Sequence, residues 1–292
     1  MADSLLNVKK RITTVMSIKK ITNAMKLIAS SRYNKMKSQF EANDPYYESM
    51  KKAMLISLKY INFDDIKHIP TCLLENNSNK SLYIVVSSTL GLSGSYFYNL
   101  TKLIDQKIDK NSDVIFIGQK AYKKYKNDVN HAYTDYINLL DELTFGNVKY
   151  FRHYLDNLYK TNNYKDVYII YTAYINSFET SCKIEKVLPL DKEPLQSDNI
   201  NNIEPLFDPS PSTVLDLIVP HYLDALLYRY FLESALSEQT CRKNSMENAS
   251  TSADKLIENL KLLYNKVRQQ NITNEITEIV SGSNTHDPID FI

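Results

Sequence analysis

The stretch MENASTSADKLIENLKLLYNKVRQQ, Met246 to Gln270, decides the fold. Within it Met246, Ala249, Ala253, Leu256, Leu260, Leu263 and Val267 follow one another at alternating spacings of three and four. That is a heptad seam, which winds one helix against another in a left-handed supercoil. The next seam positions, Gln270 and Asn274, are polar, and the apolar residues pass to Ile272, Ile276 and Ile279. The helix is therefore expected to leave its first partner near Gln270 and to present a different face to something else. Working outward, no glycine falls between Gly146 and Gly282 and no proline between Pro220 and Pro288. Ser210 followed by Pro211 reads as an N-cap with proline at the first helical position, and Gly282 as a left-handed residue that ends the helix. A single helix of about 70 residues would be roughly 105 Å long at 1.5 Å per residue. Much of it would then lie outside a compact core.

A second long helix is expected over residues 4–58, where no glycine precedes Gly91 and no proline precedes Pro45. Ile18, Ile21, Met25, Ile28 and Arg32 step by three and four, and Met36 and Phe40 continue the stripe. Asn43-Asp44-Pro45 is expected to bend this helix, because a residue before proline avoids the helical region. Between the two helices the period changes. Leu82-Tyr83-Ile84-Val85-Val86, Val114-Ile115-Phe116-Ile117 and Val167-Tyr168-Ile169-Ile170-Tyr171 read as buried strands, with a fourth at 178–188. Helices are expected over 95–109, 119–127 and 137–160, after a polar connection over 62–80. Strands alternating with helices predict a small α/β domain with a largely parallel sheet. A proline-rich return over 189–211 leads into the last helix. The expected organisation is an N-terminal shaft helix (1–61), an α/β domain (80–190) and a C-terminal shaft helix (208–292). The terminal helices, joined through one compact domain, would run antiparallel.

Composition narrows the function. The net charge is +1, yet residues 1–40 hold nine Lys or Arg against the single acid Asp3. Basic residues on several sides of this helix, interleaved with apolar ones, favour a helix surrounded by protein over one laid across a nucleic-acid duplex. Cys72, Cys182 and Cys241 lie far apart with no CxxC spacing, as expected of free thiols in a reducing cytosol. No apolar run is long enough to span a bilayer, and no signal-peptide pattern follows Met1. Asn, Lys, Ile and Tyr are abundant, a low-GC codon signature that says nothing of mechanism.

Little catalytic chemistry is legible. Gly91-Leu92-Ser93-Gly94 falls after a strand and before a helix, where a phosphate loop would sit. It is neither G-x-G-x-x-G nor a P-loop, and it reads as a tight turn. Ser93 lacks the flanks of a nucleophile elbow. The five histidines show no ligand spacing, so no metal is expected. No catalytic constellation and no cofactor follow from the residues.

The two terminal helices carry a family resemblance. RITTVMSIKKITNAMKLIASSRYNKMK (Arg11–Lys37) resembles the N-terminal helix of the γ subunit of F-type ATP synthases. Ser-Glu-x-x-x-Arg (Ser237–Arg242), Met-x-Asn-Ala (Met246–Ala249), Tyr-Asn-Lys-x-Arg-Gln (Tyr264–Gln269) and Ile-Thr-x-Glu-Ile-x-Glu-Ile-Val-Ser-Gly (Ile272–Gly282) resemble its C-terminal signature. Val187-Leu188-Pro189-Leu190 and Phe207-x-Pro-Ser-Pro211 fit more loosely. The resemblance covers essentially the whole chain and implies an antiparallel coiled-coil shaft with a small Rossmann-like α/β domain. It implies a non-catalytic rotor that turns inside a hexamer of α and β subunits, with the chemistry on β. The implied hexamer contacts are Lys19, Lys20, Met25, Lys26, Arg242, Arg268, Gln269, Ile272, Ile276 and Ile279. Arg268 and Gln269 match a hydrogen-bonding catch, Met25 and the lysines face an acidic lever loop of β, and the three isoleucines turn in an apolar sleeve. The implied foot contacts are Leu90, Tyr96, Phe97, Tyr98, Phe207 and Asp208, toward ε and the membrane ring of c subunits. A cytoplasmic protein, peripheral on the inner face of the membrane through its partners, follows.

The sequence also departs from the family pattern. Thr89 and Leu90 stand where an acid and a base are usual, Ser93 replaces a cysteine, and Tyr96-Phe97-Tyr98 is unusually aromatic. Two other readings follow. One is the shaft of an F-type-like ATPase of low-GC, wall-less bacteria, driving another machine such as gliding motility through a non-standard partner. The other is a basic coiled-coil protein that binds nucleic acid.

Overall fold

The computed structural model describes residues 5–61, 69–162, 164–190 and 205–284. The expected connection over 62–68, most of the proline-rich return and residues 285–292 lie outside the described residues. In chain order the elements are α1 (Leu5–Tyr60), a 3-10 turn (Thr71–Leu73), β1 (Ser81–Val86), α2 (Tyr96–Lys107), β2 (Asp113–Ile117), α3 (Gln119–Tyr125), β3 (His131–Tyr133), α4 (Phe145–Asn162), β4 (Asp166–Tyr174), β5 (Thr180–Leu188) and α5 (Pro211–Asn284). The chain divides into two compact units, residues 29–242 and a second made of residues 1–28 with 243–292.

In the first unit the five strands take the order β3-β2-β1-β4-β5. β1, β2, β3 and β4 are parallel, and β5 returns antiparallel to β4. The reversal is a tight turn in which Asn176 Oδ1 accepts the backbone N–H groups of Phe178 and Glu179 at 2.8 and 2.9 Å. Alternate residues of the central strands feed two cores, as period-two strands buried on both faces must. Ile84, Val86, Ile115, Ile117 and Ile169 face one core, shared with Met54 and Leu58 of α1, Phe151 of α4 and Leu223 of α5. Val85, Val114, Phe116 and Ile170 face the other, with Leu100 and Ile104 of α2 and Ala121 of α3.

Three sequence expectations change. Residues 137–144 are not helical; they form turns, and α4 begins at Phe145. Thr144 sets that start, since its Oγ1 accepts Asn147 N–H at 3.2 Å and its carbonyl accepts Val148 N–H at 3.2 Å. β3 was not expected, because a three-residue edge strand carries no apolar run. The N-terminal helix, expected to bend at Pro45, is continuous through it as α1. There Asp44 pairs with Arg229, whose guanidinium also lies 4.6 Å from the ring of Tyr47 and 5.2 Å from that of Phe40. These contacts hold the residue before proline within the helix. Gly282 does not end α5; the helix continues to Asn284, and Gly282 is not among the glycines with positive φ. The other end agrees with expectation. Pro211 is the first residue of α5, and Ser210 Oγ accepts Thr213 N–H at 3.3 Å.

In the second unit the ends of α1 and α5 pair antiparallel. Lys19 Nζ lies 2.5 Å from Asp254, Ser250 Oγ donates to Asn23 Oδ1 at 2.9 Å, and Lys26 Nζ lies 3.7 Å from Glu247. Partners move down one helix as they move up the other. On α5 the seam keeps Met246, Ala253 and Leu260 of the expected line but takes Ser250 and Ile257 in place of Ala249 and Leu256, and on α1 it is displaced by one residue. On α5, Met246, Ser250, Ala253, Ile257 and Leu260 are buried, whereas Leu256 is 47% exposed. On α1, Val8 and Thr22 are buried and Ile12, Val15, Lys19 and Lys26 are half-buried, while Ile18, Ile21, Met25 and Ile28 are exposed. Both lines have heptad spacing. Closure chose the one that lets Ser250 meet Asn23 and the lysines meet acids.

Candidate functional site

Among the described residues no group of three or more His, Cys, Asp or Glu is placed to hold a metal ion. The functional candidates are faces. On α1 of the second unit, Ile18, Ile21, Met25 and Ile28 step along one exposed stripe, with 38% to 57% of each accessible. Lys20 is exposed beside them. Lys19 and Lys26 lie nearer the seam and hold Asp254 and Glu247, so part of the basic character of this helix is met within the coiled coil. Exposed pairs of this kind contribute little to stability, about 0–1 kcal/mol each. They set register instead.

On α5 the burial stops at Val267, and every residue from Arg268 to Ser283 is exposed. Arg268 and Gln269 stand at that transition. Ile272, Ile276 and Ile279 follow, and Ile279 is 71% exposed. The helix thus leaves its partner close to the predicted point. It then carries isoleucines at helical spacing into solvent.

Arg242, the last residue of the first unit, is turned inward. It pairs with Glu238, and its Nη2 donates to the carbonyls of Leu90 and Gly91 at 3.5 and 3.4 Å. Burial raises the Glu238 carboxyl above its ordinary range, and Arg242 opposes that shift. The pair therefore pins the loop after β1. In that loop Leu92 adopts a left-handed backbone with φ of 63°, uncommon for a residue with a branched side chain. Leu90 and Leu92 are 63% and 60% exposed.

The expected foot contacts divide. Tyr96 is buried, and its hydroxyl meets Ser234 Oγ of α5 at 2.8 Å, so it is a packing residue and offers no docking surface. Phe97 is half-buried against the α2–α3 core and Phe207 packs on the larger core. Tyr98 is exposed, with Lys102 Nζ 4.6 Å from its ring, and Asp208 is exposed. The exposed stripe Ile18-Ile21-Met25-Ile28 was read from the sequence as the seam. Only the polar partners Asn23 and Ser250 carried the signal that separates the two lines, and a Ser or Asn has no hydrophobic period to reveal it.

A family model described as ATP synthase matches residues 4–285. The ATP synthase gamma chain of Ureaplasma urealyticum is 35% identical over 292 residues, covering 96% of this chain and 99% of its own. The chain belongs to the ATP synthase gamma chain family. It is accordingly a central-shaft chain of a rotary F-type ATPase. The gamma chain of Acetobacterium woodii, named sodium ion specific, is 31% identical and covers 97% of this chain and 99% of its own. The fold agrees with solved relatives. A chain of the Euglena gracilis mitochondrial ATP synthase OSCP/F1/c-ring assembly matches with a TM-score of 0.67 at 14% identity, over 99% of this chain and 98% of that one. A chain of the rotor of the same synthase gives a TM-score of 0.64 at 15% identity, over 92% and 99%. Among the described residues no helix is long and apolar enough to cross a membrane.

Proposed function

We propose that this chain performs no chemistry of its own and transmits torque between an α/β ATPase hexamer and a partner at the foot. The observation that carries the reading is the pair of uncovered apolar faces, Ile18-Ile21-Met25-Ile28 on α1 and Ile272-Ile276-Ile279 on α5. Contiguous exposed apolar surface at helical spacing marks a surface that another protein covers. An apolar contact is non-directional, so it tolerates rotation without imposing one register. Arg268 and Gln269 supply directional hydrogen bonds at the point where α5 leaves the coiled coil. A charge-assisted bond made and broken at each step suits a catch there. Lys20 offers free positive charge to an acidic loop of β, and Met25 an apolar contact beside it. Leu90, Tyr98 and Asp208 are the exposed members of the foot surface, toward ε and a ring of c subunits. Attachment to the inner face of the cell membrane would then run through those partners.

The test is assembly with purified α and β subunits. Replacing Ile272, Ile276 and Ile279 together by Ser should leave the helicity of the free chain unchanged and abolish coupled ATPase in the assembled complex. Full coupling in the triple variant would sink the proposal. Arg268→Ala should lower coupling without unfolding the chain.

A further inference from the structure

The loop after β1, whose Leu90 also belongs to the proposed foot surface, sits beside a cleft. β1 lies between β2 and β4 in the sheet. The chain leaves it through α2 and α3 on one face and returns to β4 through α4 on the other. The carboxyl end of β1 is therefore a topological switch point, where open α/β sheets bind ligands. At that end a cleft of about 360 Å³ opens next to Thr89 and Leu90. Arg32 and Lys35 of α1 line it, both exposed; Glu238 lines it too, and Arg32 stands near enough to help hold that carboxyl down. Arg242 also lines it, but its charge is met by Glu238 and its remaining donors hold the loop. A further cation stands against the same loop: Lys120 Nζ lies 3.4 Å from the place a Cβ on Gly91 would occupy. Met36 and Leu140 form an apolar wall, and Asp141 supplies an acceptor at the rim.

We propose that this cleft binds a nucleoside diphosphate. Arg32 and Lys35 hold the phosphates, Asp141 accepts from sugar hydroxyls, and the base lies against Met36 and Leu140. An apolar wall with a few convergent polar groups in a cleft of this size is the usual form of a small-molecule site. Arg32, Lys35 and Arg242 against Asp141 and Glu238 leave the lining with one positive charge in excess, the sign for phosphate. Glycine at position 91 keeps the loop low, so that Lys120 can approach it. The inference is independent of the torque-transmitting role, since it uses none of the faces assigned to the hexamer.

Calorimetric titration of the full chain with ADP, orthophosphate and adenosine tests it. Saturable ADP binding is expected, weakened at least about tenfold by Arg32→Ala with Lys35→Ala and weakened by added salt, as exposed charges are screened. Lys10→Ala, at an exposed lysine away from the cleft, should leave it unchanged, and adenosine alone should not saturate. Arg32→Gln, which keeps the stem of the side chain, serves as the milder variant should the double one lose helicity. No saturation by ADP into the millimolar range would overturn the proposal, as would binding unchanged in either variant. Orthophosphate binding as tightly as ADP would overturn the nucleoside assignment.

Discussion

Arg152 is a guanidinium sealed between carboxylates. Its Nε donates to Asp224 at 2.8 Å and its Nη1 to Asp156 at 2.6 Å, and Cys72 Sγ donates to Asp156 at 3.5 Å. The group joins α4, α5 and the 3-10 turn. Arg152→Met is expected to destabilise the chain by about 3–5 kcal/mol, because buried carboxylates are left without their counter-charge. Urea denaturation of the isolated chain measures this. Gly118 is the other single residue on which the fold depends. Its φ is +90°, and a Cβ there would lie 2.0 Å from the carbonyl oxygen of Ser87. Gly118→Ala should cost at least about 1–3 kcal/mol from the backbone conformation alone, with the clash added, whereas Gly282→Ala, with nothing within 4 Å, should be neutral or slightly stabilising. Burial, reinforced by Asp156, pushes the Cys72 thiol from 9.0 up to about 12. Burial likewise pushes the Tyr159 phenol from 10.0 up to about 12. The folded state therefore holds protons that the unfolded chain releases. The stability tied to these groups is intact below pH 9 and is lost as pH rises from 9 through 12. The denaturation midpoint should fall between pH 8 and pH 11, and at pH 8 Cys72 should resist alkylation until the chain unfolds; equal midpoints, or labelling of folded Cys72, would contradict this.

At the scale of elements, the strands and the long helices were legible because each follows a single strong period. β1, β2 and β4 are apolar, β-branched runs, and their burial on both faces leaves no other reading. What escaped was decided by polar atoms or by partners distant in sequence. α4 starts at Phe145, where Thr144 caps it, and not at the expected residue 137. β3 exists because β2 offers it an edge. Tyr96 looked like surface decoration until Ser234 was brought to its hydroxyl. The coiled-coil seam is the sharpest case. Leu256 and Ile257 are both apolar, and each completes a heptad line from Met246. Only the Ser250–Asn23 bond and the flanking ion pairs distinguish the lines, and a polar seam residue sets register at some cost in stability. Ile257→Ala should cost about 2–3 kcal/mol and Leu256→Ala less than about 0.5 kcal/mol. Thermal melts of the two variants decide between them, and the reverse order would mean that the sequence-read seam was right.

At the scale of the whole molecule, the residues that the family resemblance assigns to partner surfaces divide into exposed ones and packed ones. Ile272, Ile276 and Ile279 are bare on α5. Arg242 matches the family signature equally well, yet in the fold it holds Glu238 and the loop after β1. Sequence matching places a residue on a motif, and packing decides whether its side chain is free to meet a partner. In the proposed function, partner subunits cover the exposed faces of both terminal helices. The most direct measurement of that claim is gentle purification of the chain from its native cell, with mass spectrometry of what accompanies it. The account predicts α- and β-type ATPase subunits in the same particle, with ε and c subunits alongside. Recovery of the chain without α and β subunits would contradict it.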